Sequence, residues 1–170
     1  MQDWDQILAR HADAVWRTAY RILGGTADAD ECMQEAFVDA VRVNRRESVR
    51  DWGAMLRRLA TVRALDRLRR RSAERVRFSG GTDCEALPSP GEPPEARAQR
   101  TELSNLLRCA LGRLPPPQAQ VFCLRHVEGM SYEEIADQMQ VSVNSVGVIL
   151  HRARERLREL LHEFAAEQRS

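Results

Sequence analysis

The chain has 170 residues, of which 43% are hydrophobic and 30% are charged, and its formal net charge is +1 at pH 7. This length suits one domain or two small ones, and the balanced charge excludes a uniformly basic protein. No apolar stretch approaches the length of a membrane span and no signal peptide opens the chain, so we expect a soluble, cytoplasmic protein without a membrane segment.

The basic residues are unusual in kind, because all 26 are arginine and none is lysine. A guanidinium fork suits phosphate groups and base edges better than an ammonium group does. A biased genome base composition would produce the same usage, so the count alone does not indicate nucleic-acid binding.

Sequence signatures of an active site or a metal site are missing. There is no P-loop, no H-E-x-x-H and no G-x-S-x-G pattern, and the histidines share no ligand spacing. The cysteines also lack C-x-x-C spacing, so we expect buried or idle thiols and neither a metal site nor disulfides. They are Cys32, Cys84, Cys109 and Cys123. We therefore expect a protein that is not an enzyme and needs no cofactor.

The second of the first two predicted helices carries a polar strip beside its core face. Apolar residues three to four apart predict a helix from about Trp4 to Leu23, which Gly24 and Gly25 end. Asp28 is the predicted N-cap of the second helix. The outer face of that helix carries a strip of acidic and polar side chains, Glu31, Gln34, Glu35 and Asp39. A solvated surface would explain this acidic strip, and a site for a basic protein surface is the sharper interpretation.

A third, long helix is predicted to begin at Ser48 and Asp51 and to be rich in arginine. Its apolar residues define a core face, and its outer face carries more arginine than solubility requires. The arginines of this face and of the preceding loop include Arg45, Arg46, Arg57, Arg58, Arg63, Arg67, Arg70 and Arg71. Such a surface favours contact with a nucleic-acid backbone, with an affinity that falls steeply as salt increases.

Residues 78–100 differ in composition from the rest of the chain. They contain glycines, prolines, few apolar residues and an excess of negative charge, which is typical of a flexible linker. We therefore predict an all-α protein with two small helical domains, residues 1–77 and 101–170, that move independently. No strand pattern is present.

The second domain is predicted to end in a helix-turn-helix. A helix from about Thr101 to Leu114 and another from Gln118 to Glu128 come first. Ser131 then begins a short helix through a capping box, and Ser142 caps a longer one. The longer helix has one apolar stripe, Val146, Leu150, Ala153, Leu157, Leu160 and Phe164. This pattern is typical of a DNA reader whose second helix enters the major groove, and an ordinary helical hairpin is the alternative.

These segments together resemble a known family, the extracytoplasmic-function (ECF) group of bacterial RNA polymerase sigma factors in the sigma-70 family. In the first domain the resemblance lies in AYRILGGTADADECMQEAFVDAV and WGAMLRRLATVRALDRLRRR. In the second it lies in LPPPQAQVFCLRHVEGMSYEEIADQMQVSVNSV and LHRARERLREL. It covers nearly the whole chain, and the order of the two blocks across a linker of this length makes it specific.

The resemblance implies partners and sites. The acidic strip falls where the family docks on the clamp coiled coil of the largest subunit of core polymerase. The arginines from Arg45 to Arg71 fall where the family melts and holds the −10 element of promoter DNA. The residues implied to read the −35 element are Asn144, Ser145, Val148, His151, Arg152 and Arg154. The linker would thread toward the active-centre cleft, and an anti-sigma factor is a further partner that the resemblance allows.

The chain departs from the family pattern at three places. Val62 replaces a frequent asparagine of the −10 site, and Gln140 replaces a frequent glycine in the turn. In the recognition helix, Gly147, Val148 and Ile149 replace a polar and basic run. This predicts sparse hydrogen bonding to base edges and promoter choice that depends mainly on the −10 element.

Two other functions remain open on the sequence. One is a helix-turn-helix transcriptional regulator that acts without core polymerase, for which the acidic strip would have no purpose. The other is a protein-interaction module in which the apolar patch at residues 147–149 binds a protein instead of DNA.

Overall fold

The computed structural model describes residues 2–78 and 94–170, and the side chains of residues 2–77 and 102–170. Within these residues the chain forms helices and no strand, which confirms the all-α prediction. The helices are α1 (Trp4–Leu23), α2 (Thr26–Asn44), α3 (Trp52–Phe78), α4 (Pro94–Arg113), α5 (Pro116–His126), α6 (Tyr132–Met139) and α7 (Val143–Gln168). Most of the predicted linker lies outside the described residues. Its last part is helical, because α4 begins at Pro94 and not at the predicted Thr101.

Helices α1, α2 and α3 form an N-terminal bundle. Asp3 caps α1 by accepting from the Gln6 amide at 3.1 Å, and Gly24 ends that helix with a left-handed φ of 78°. Asp51 caps α3 through the Ala54 amide at 2.9 Å. The prediction that Asp28 caps α2 is wrong. The N-cap is Gly25, and α2 begins at Thr26, which leaves the Asp28 carboxylate inside the first turn and available to the arginines of α3.

Helices α4 to α7 form a C-terminal bundle that contains the helix-turn-helix. The predicted capping box of α6 is confirmed: the Glu134 amide donates to Ser131 Oγ at 3.1 Å, and the Ser131 amide donates to Glu134 Oε2 at 2.7 Å. Ser142 caps α7 by accepting from the Ser145 amide at 3.1 Å. Every residue of the predicted apolar stripe on α7 is buried, so this helix holds the bundle together while its other faces stay outside.

The two bundles share one hydrophobic core. Ala64, Leu65 and Leu68 of α3 belong to the same cluster of buried side chains as Leu111 of α4 and Phe164 of α7. This arrangement differs from the independent movement that the linker composition predicts. The composition of a linker indicates only whether the linker itself becomes ordered. Whether two domains pack together depends on the apolar faces that their helices present to each other.

Polar contacts and a glycine hold the two bundles close together. Glu128, which follows α5, keeps only 4% of its side chain exposed. It accepts from Thr18 Oγ1 at 2.7 Å and pairs with Arg57 Nη1 at 3.5 Å, both in the N-terminal bundle. A Cβ atom at Gly112 would lie 2.7 Å from the Leu68 carbonyl oxygen, so only glycine permits this approach of α4 to α3.

The thiol prediction is confirmed for two cysteines and is wrong for a third. Cys32 and Cys123 are buried free thiols, and burial raises the pKa of each to about 12. Cys109 is disulfide-bonded. Cys84 lies outside the described residues.

Candidate polymerase and nucleic-acid interfaces

The acidic strip of α2 faces the arginines of α3. Arg63 grips Asp39 with both branches of its guanidinium group, Nε to Oδ2 at 2.5 Å and Nη2 to Oδ1 at 2.7 Å. Arg67 Nη2 lies 3.0 Å from Glu31 Oε2 and 2.9 Å from Glu35 Oε1. Hydrogen bonds from Arg63 hold the pKa of Asp39 below its usual range. The strip and the arginine surface are therefore partners within one ionic network.

Members of the strip differ in how far they remain available to another protein. The Glu31 side chain is 66% exposed and the Asp39 side chain only 17% exposed. Gln34 is exposed, and it makes no side-chain hydrogen bond to any other described residue. Glu31 and Gln34 are thus the most accessible members of the strip, Glu35 is 38% exposed but paired with Arg67, and Asp39 mainly braces α2 against α3.

Several arginines predicted for the −10 element already have protein partners. Asp28 binds both Arg71 and Arg67, the latter at 3.4 Å. Arg57 pairs with Glu128 of the C-terminal bundle. Arg58 is half-buried, burial lowers the pKa of its guanidinium group, and its Nε has no hydrogen-bond partner among the described residues. These side chains are not the free cationic face that the sequence predicts.

A smaller set of arginines in the N-terminal bundle is exposed. Arg45 and Arg46 follow the end of α2, and Arg70 lies on the outer side of α3. None of them forms an ion pair within the described parts of the chain. Arg45 also lines an open cavity between the ends of α1 and α2, together with Trp4 and Asn44.

The recognition helix α7 presents a line of exposed side chains without a partner among the described residues. Asn144, Val148 and Arg152 are exposed, and among the described residues none of them has a hydrogen-bond or ion-pair partner. They lie at positions i, i+4 and i+8, so they follow one face of the helix. We call this line the reading stripe.

The other residues predicted to read the −35 element are engaged locally. The hydroxyl of Ser145 lies 2.8 Å from Ser142 Oγ within the cap. His151 Nε2 lies 3.2 Å from Glu155 Oε1, and Arg154 Nη2 lies 3.2 Å from His126 Nε2 on α5. The structure therefore brings Asn144, Val148 and Arg152 together on one face and turns Arg154 toward α5.

Sequence reasoning missed the roles of two residues. Asp28 pairs with arginines of α3, and Glu128 joins the two bundles. Glu128 did carry a signal: an acidic residue beside the C-terminal end of α5 meets the negative end of the helix dipole and so calls for a compensating partner. Asp28 carried none that was distinctive, because an acidic residue is favourable in any first helical turn.

Two features that the described residues lack bear on other functions. No described helix combines the length and the apolar character needed to cross a bilayer. No group of three or more histidine, cysteine, aspartate or glutamate side chains is arranged to hold a metal ion in the part of the chain described.

Comparison with known families and proteins accounts for both bundles. A model of sigma-70 region 2 matches residues 7–74, and a model of sigma-70 region 4 matches residues 104–157. The RNA polymerase sigma-E factor of Streptomyces coelicolor is 34% identical over 94% of this chain and 86% of its own length. The chain belongs to the ECF sigma factors of the sigma-70 family.

Other relatives of this sigma factor extend the likeness over its whole length. The ECF RNA polymerase sigma factor SigE of Mycolicibacterium smegmatis is 33% identical over 98% of this chain, which spans 65% of the length of SigE. The sigma factor RpoE of Bartonella quintana, solved with the anti-sigma factor NepR, matches with a TM-score of 0.56 over 95% of this chain and 98% of its own. At 21% identity that match is one of fold.

Proposed function

We propose that this sigma factor binds core RNA polymerase and directs it to promoters, with residues 1–77 serving the polymerase and the −10 element and residues 101–170 the −35 element. The observation that carries the proposal is the reading stripe on the second helix of a helix-turn-helix, in a chain whose other half matches region 2. The protein would act in the cytoplasm as a specificity subunit, without a reaction or cofactor of its own.

Docking on polymerase is assigned to the exposed part of the acidic strip. Glu31 and Gln34 project from α2 and are open to a basic surface, for which the clamp coiled coil of the largest polymerase subunit is the proposed partner. Asp39 contributes indirectly, because its bidentate pair with Arg63 fixes α2 on α3.

Contact with the −10 element is assigned to arginines of two kinds. Arg45, Arg46 and Arg70 are exposed, so phosphate groups can reach them directly. Arg67 and Arg57 are held by carboxylates, so DNA must compete with those carboxylates for the guanidinium groups. We therefore expect the free protein to bind DNA weakly and the polymerase complex to bind it well.

Co-purification with core polymerase tests the proposal. The tagged protein should retain core enzyme, and the double variant Glu31→Arg with Gln34→Arg should lose it, because both changes place cations against a basic partner. Asp13→Arg is the matched control, since Asp13 is an exposed acidic residue on α1 outside the strip. Circular dichroism should show equal helicity in all three proteins.

An in vitro transcription assay distinguishes a sigma factor from a regulator that acts without core polymerase. Core enzyme with the unaltered chain should initiate from promoters that core enzyme alone ignores. A chain that bound DNA but neither retained core enzyme nor supported initiation would be a helix-turn-helix regulator, and the proposal would be wrong.

A further inference from the structure

The middle residue of the reading stripe is apolar. The Val148 side chain is 51% exposed, and it lies between the amide of Asn144 and the guanidinium group of Arg152. A single exposed valine is ordinary on a protein surface. This one lies on the face of α7 that the helix-turn-helix arrangement directs into the major groove, with a free polar side chain about one helical turn to either side.

The neighbour of Val148 adds a second observation. Gly147 lies inside α7, where glycine costs about 1 kcal/mol relative to alanine. A Cβ atom there would meet only Tyr132 Cε2, at 3.8 Å, which is an ordinary contact. Packing therefore does not require glycine at this position. A bare backbone beside Val148 does allow another molecule to approach the helix closely at that point.

The charges around the reading stripe favour DNA as the molecule that approaches α7 at Gly147. Arg152 on the stripe and Arg158 further along α7 are exposed. The first turn of the helix carries no acidic residue, so no carboxylate there offsets the positive end of the helix dipole. An apolar spot with a free amide on one side and a free guanidinium group on the other fits the major groove better than it fits an apolar protein surface.

We propose that Val148 is a specificity-determining residue that contacts the C5 methyl group of a thymine in the −35 element, while Gly147 lets the helix sit close enough for that contact. The proposal rests on the function proposed above and names the base that this position of the site selects. The thymine methyl is the apolar group that a base presents in the major groove, and small apolar side chains are its usual partners.

The flanking residues of the stripe extend the expected sequence. Asparagine pairs in bidentate fashion with adenine N6 and N7, and arginine with guanine O6 and N7. Residues four apart on a helix are separated by about 6 Å along its axis, and base pairs by about 3.4 Å. We therefore expect contacts from Asn144 to an adenine, from Val148 to a thymine and from Arg152 to a guanine, with the three bases within a few base pairs of each other.

The test uses holoenzyme reconstituted from core polymerase and the full chain. Selection from a library of promoters randomised over the −35 element should enrich a motif that contains thymine. Each selected thymine is then replaced by deoxyuridine, which removes only the methyl group. At one position we expect affinity to fall about fourfold, as the loss of one buried methyl group predicts.

Variants assign the effect to Val148. With Val148→Ala the same promoter should bind about fourfold more weakly, and the change from thymine to deoxyuridine should have no further effect, because the partner of the methyl group is gone. The helix will form, since alanine is a better helix former than valine. Leu8→Ala is the control; Leu8 is 45% exposed on α1, and its truncation should leave the thymine preference intact.

Two results would overturn the inference, and they are distinguishable. If holoenzyme forms and selects a −35 motif but binds thymine and deoxyuridine equally at every position, Val148 reads no methyl group and the proposed function stands. If no holoenzyme forms, or if the enriched pool shows no −35 preference, the proposed function of this site fails and the inference fails with it.

Discussion

Gln140 adopts a backbone conformation that favours glycine. Its φ of 54° and ψ of 47° are left-handed, and among the described residues it is the only one other than glycine with positive φ. It occupies the turn of the helix-turn-helix, between α6 and α7. The conformation costs a residue with a Cβ atom about 1–2 kcal/mol. Replacement by glycine would remove this cost, but the greater conformational freedom of glycine in the unfolded chain would offset part of the stabilisation.

We expect Gln140→Gly to raise the free energy of unfolding by about 0.5–1 kcal/mol. Urea denaturation at neutral pH measures the change. Gln140→Ala is the matched control, because it removes the same exposed side chain but keeps the Cβ atom, and it should not stabilise the protein. A glycine variant no more stable than the alanine variant would show that the turn carries no such strain.

At the scale of elements, the contact between α2 and α3 is ionic as well as apolar. The bidentate pair of Arg63 and Asp39 is partly buried, and such charge-assisted pairs are stronger than exposed ones. Hydrogen bonds from Arg63 lower the pKa of Asp39 from its ordinary value of 3.8. The unfolded chain therefore takes up this proton at a higher pH than the folded chain does. The resulting stabilisation is fully present above that ordinary value and is lost as pH falls through the lower, folded pKa.

We expect Asp39→Asn to lower the free energy of unfolding by about 1–3 kcal/mol at pH 7. The difference from the unaltered protein should shrink when the pH falls below 3.8, the ordinary pKa of this carboxyl group. Urea titrations at several pH values measure it. Asp66→Asn is the control, because Asp66 pairs with Arg69 on the same helix and is 41% exposed, so its loss should cost less than about 1 kcal/mol. An effect of Asp39→Asn that does not vary with pH would contradict this account.

The same network bears on function. Carboxylates that hold Arg63 and Arg67 lower the free positive charge of α3. The proposed polymerase docking on the acidic strip and the proposed DNA contact by these arginines would thus involve one set of ion pairs. Binding of one partner would then change the charge that the other partner contacts.

At the scale of the whole molecule, the closed arrangement conflicts with simultaneous contact to both promoter elements. The −10 and −35 elements lie about 25 base pairs apart, which is about 85 Å of B-form DNA. A compact chain of this length has a radius of gyration of about 15 Å. The proposed binding of one bundle to each element therefore requires the bundles to separate, and Glu128 lies at the contact that has to break.

We expect Glu128→Ala to favour separation of the bundles. Thr18 would lose one of its two acceptors, keeping the Ala14 carbonyl oxygen, and Arg57 would lose its ion pair, at a cost to the closed form of about 1–3 kcal/mol. Small-angle X-ray scattering should show a larger radius of gyration at unchanged helicity. Glu133→Ala, at an exposed site on α6, is the control. An unchanged radius would mean that the shared apolar core and the remaining polar contacts, such as the Arg108 Nε bond to the Ile22 carbonyl oxygen at 2.9 Å, keep the protein closed without Glu128.

Local features of this protein could be read from its sequence because their causes lie within a few residues. The capping box of Ser131 and Glu134 joins positions three apart, and the apolar stripe of α7 repeats within single turns. The helix-turn-helix, the burial of the stripe and the family follow from such patterns. Two local predictions were wrong: α4 was expected to begin at Thr101 but begins at Pro94, and Asp28 pairs with arginines of α3 instead of capping α2.

The state of the charged residues was decided only by the tertiary structure. Arg63 and Asp39 are 24 residues apart in the chain, and Thr18 and Glu128 are 110 apart. Helical periodicity predicts which side of a helix an arginine occupies, but not which helix lies opposite. Whether a guanidinium group is free for DNA or held by a carboxylate depends on how the helices pack, and helix packing depends on apolar faces that meet across the whole fold.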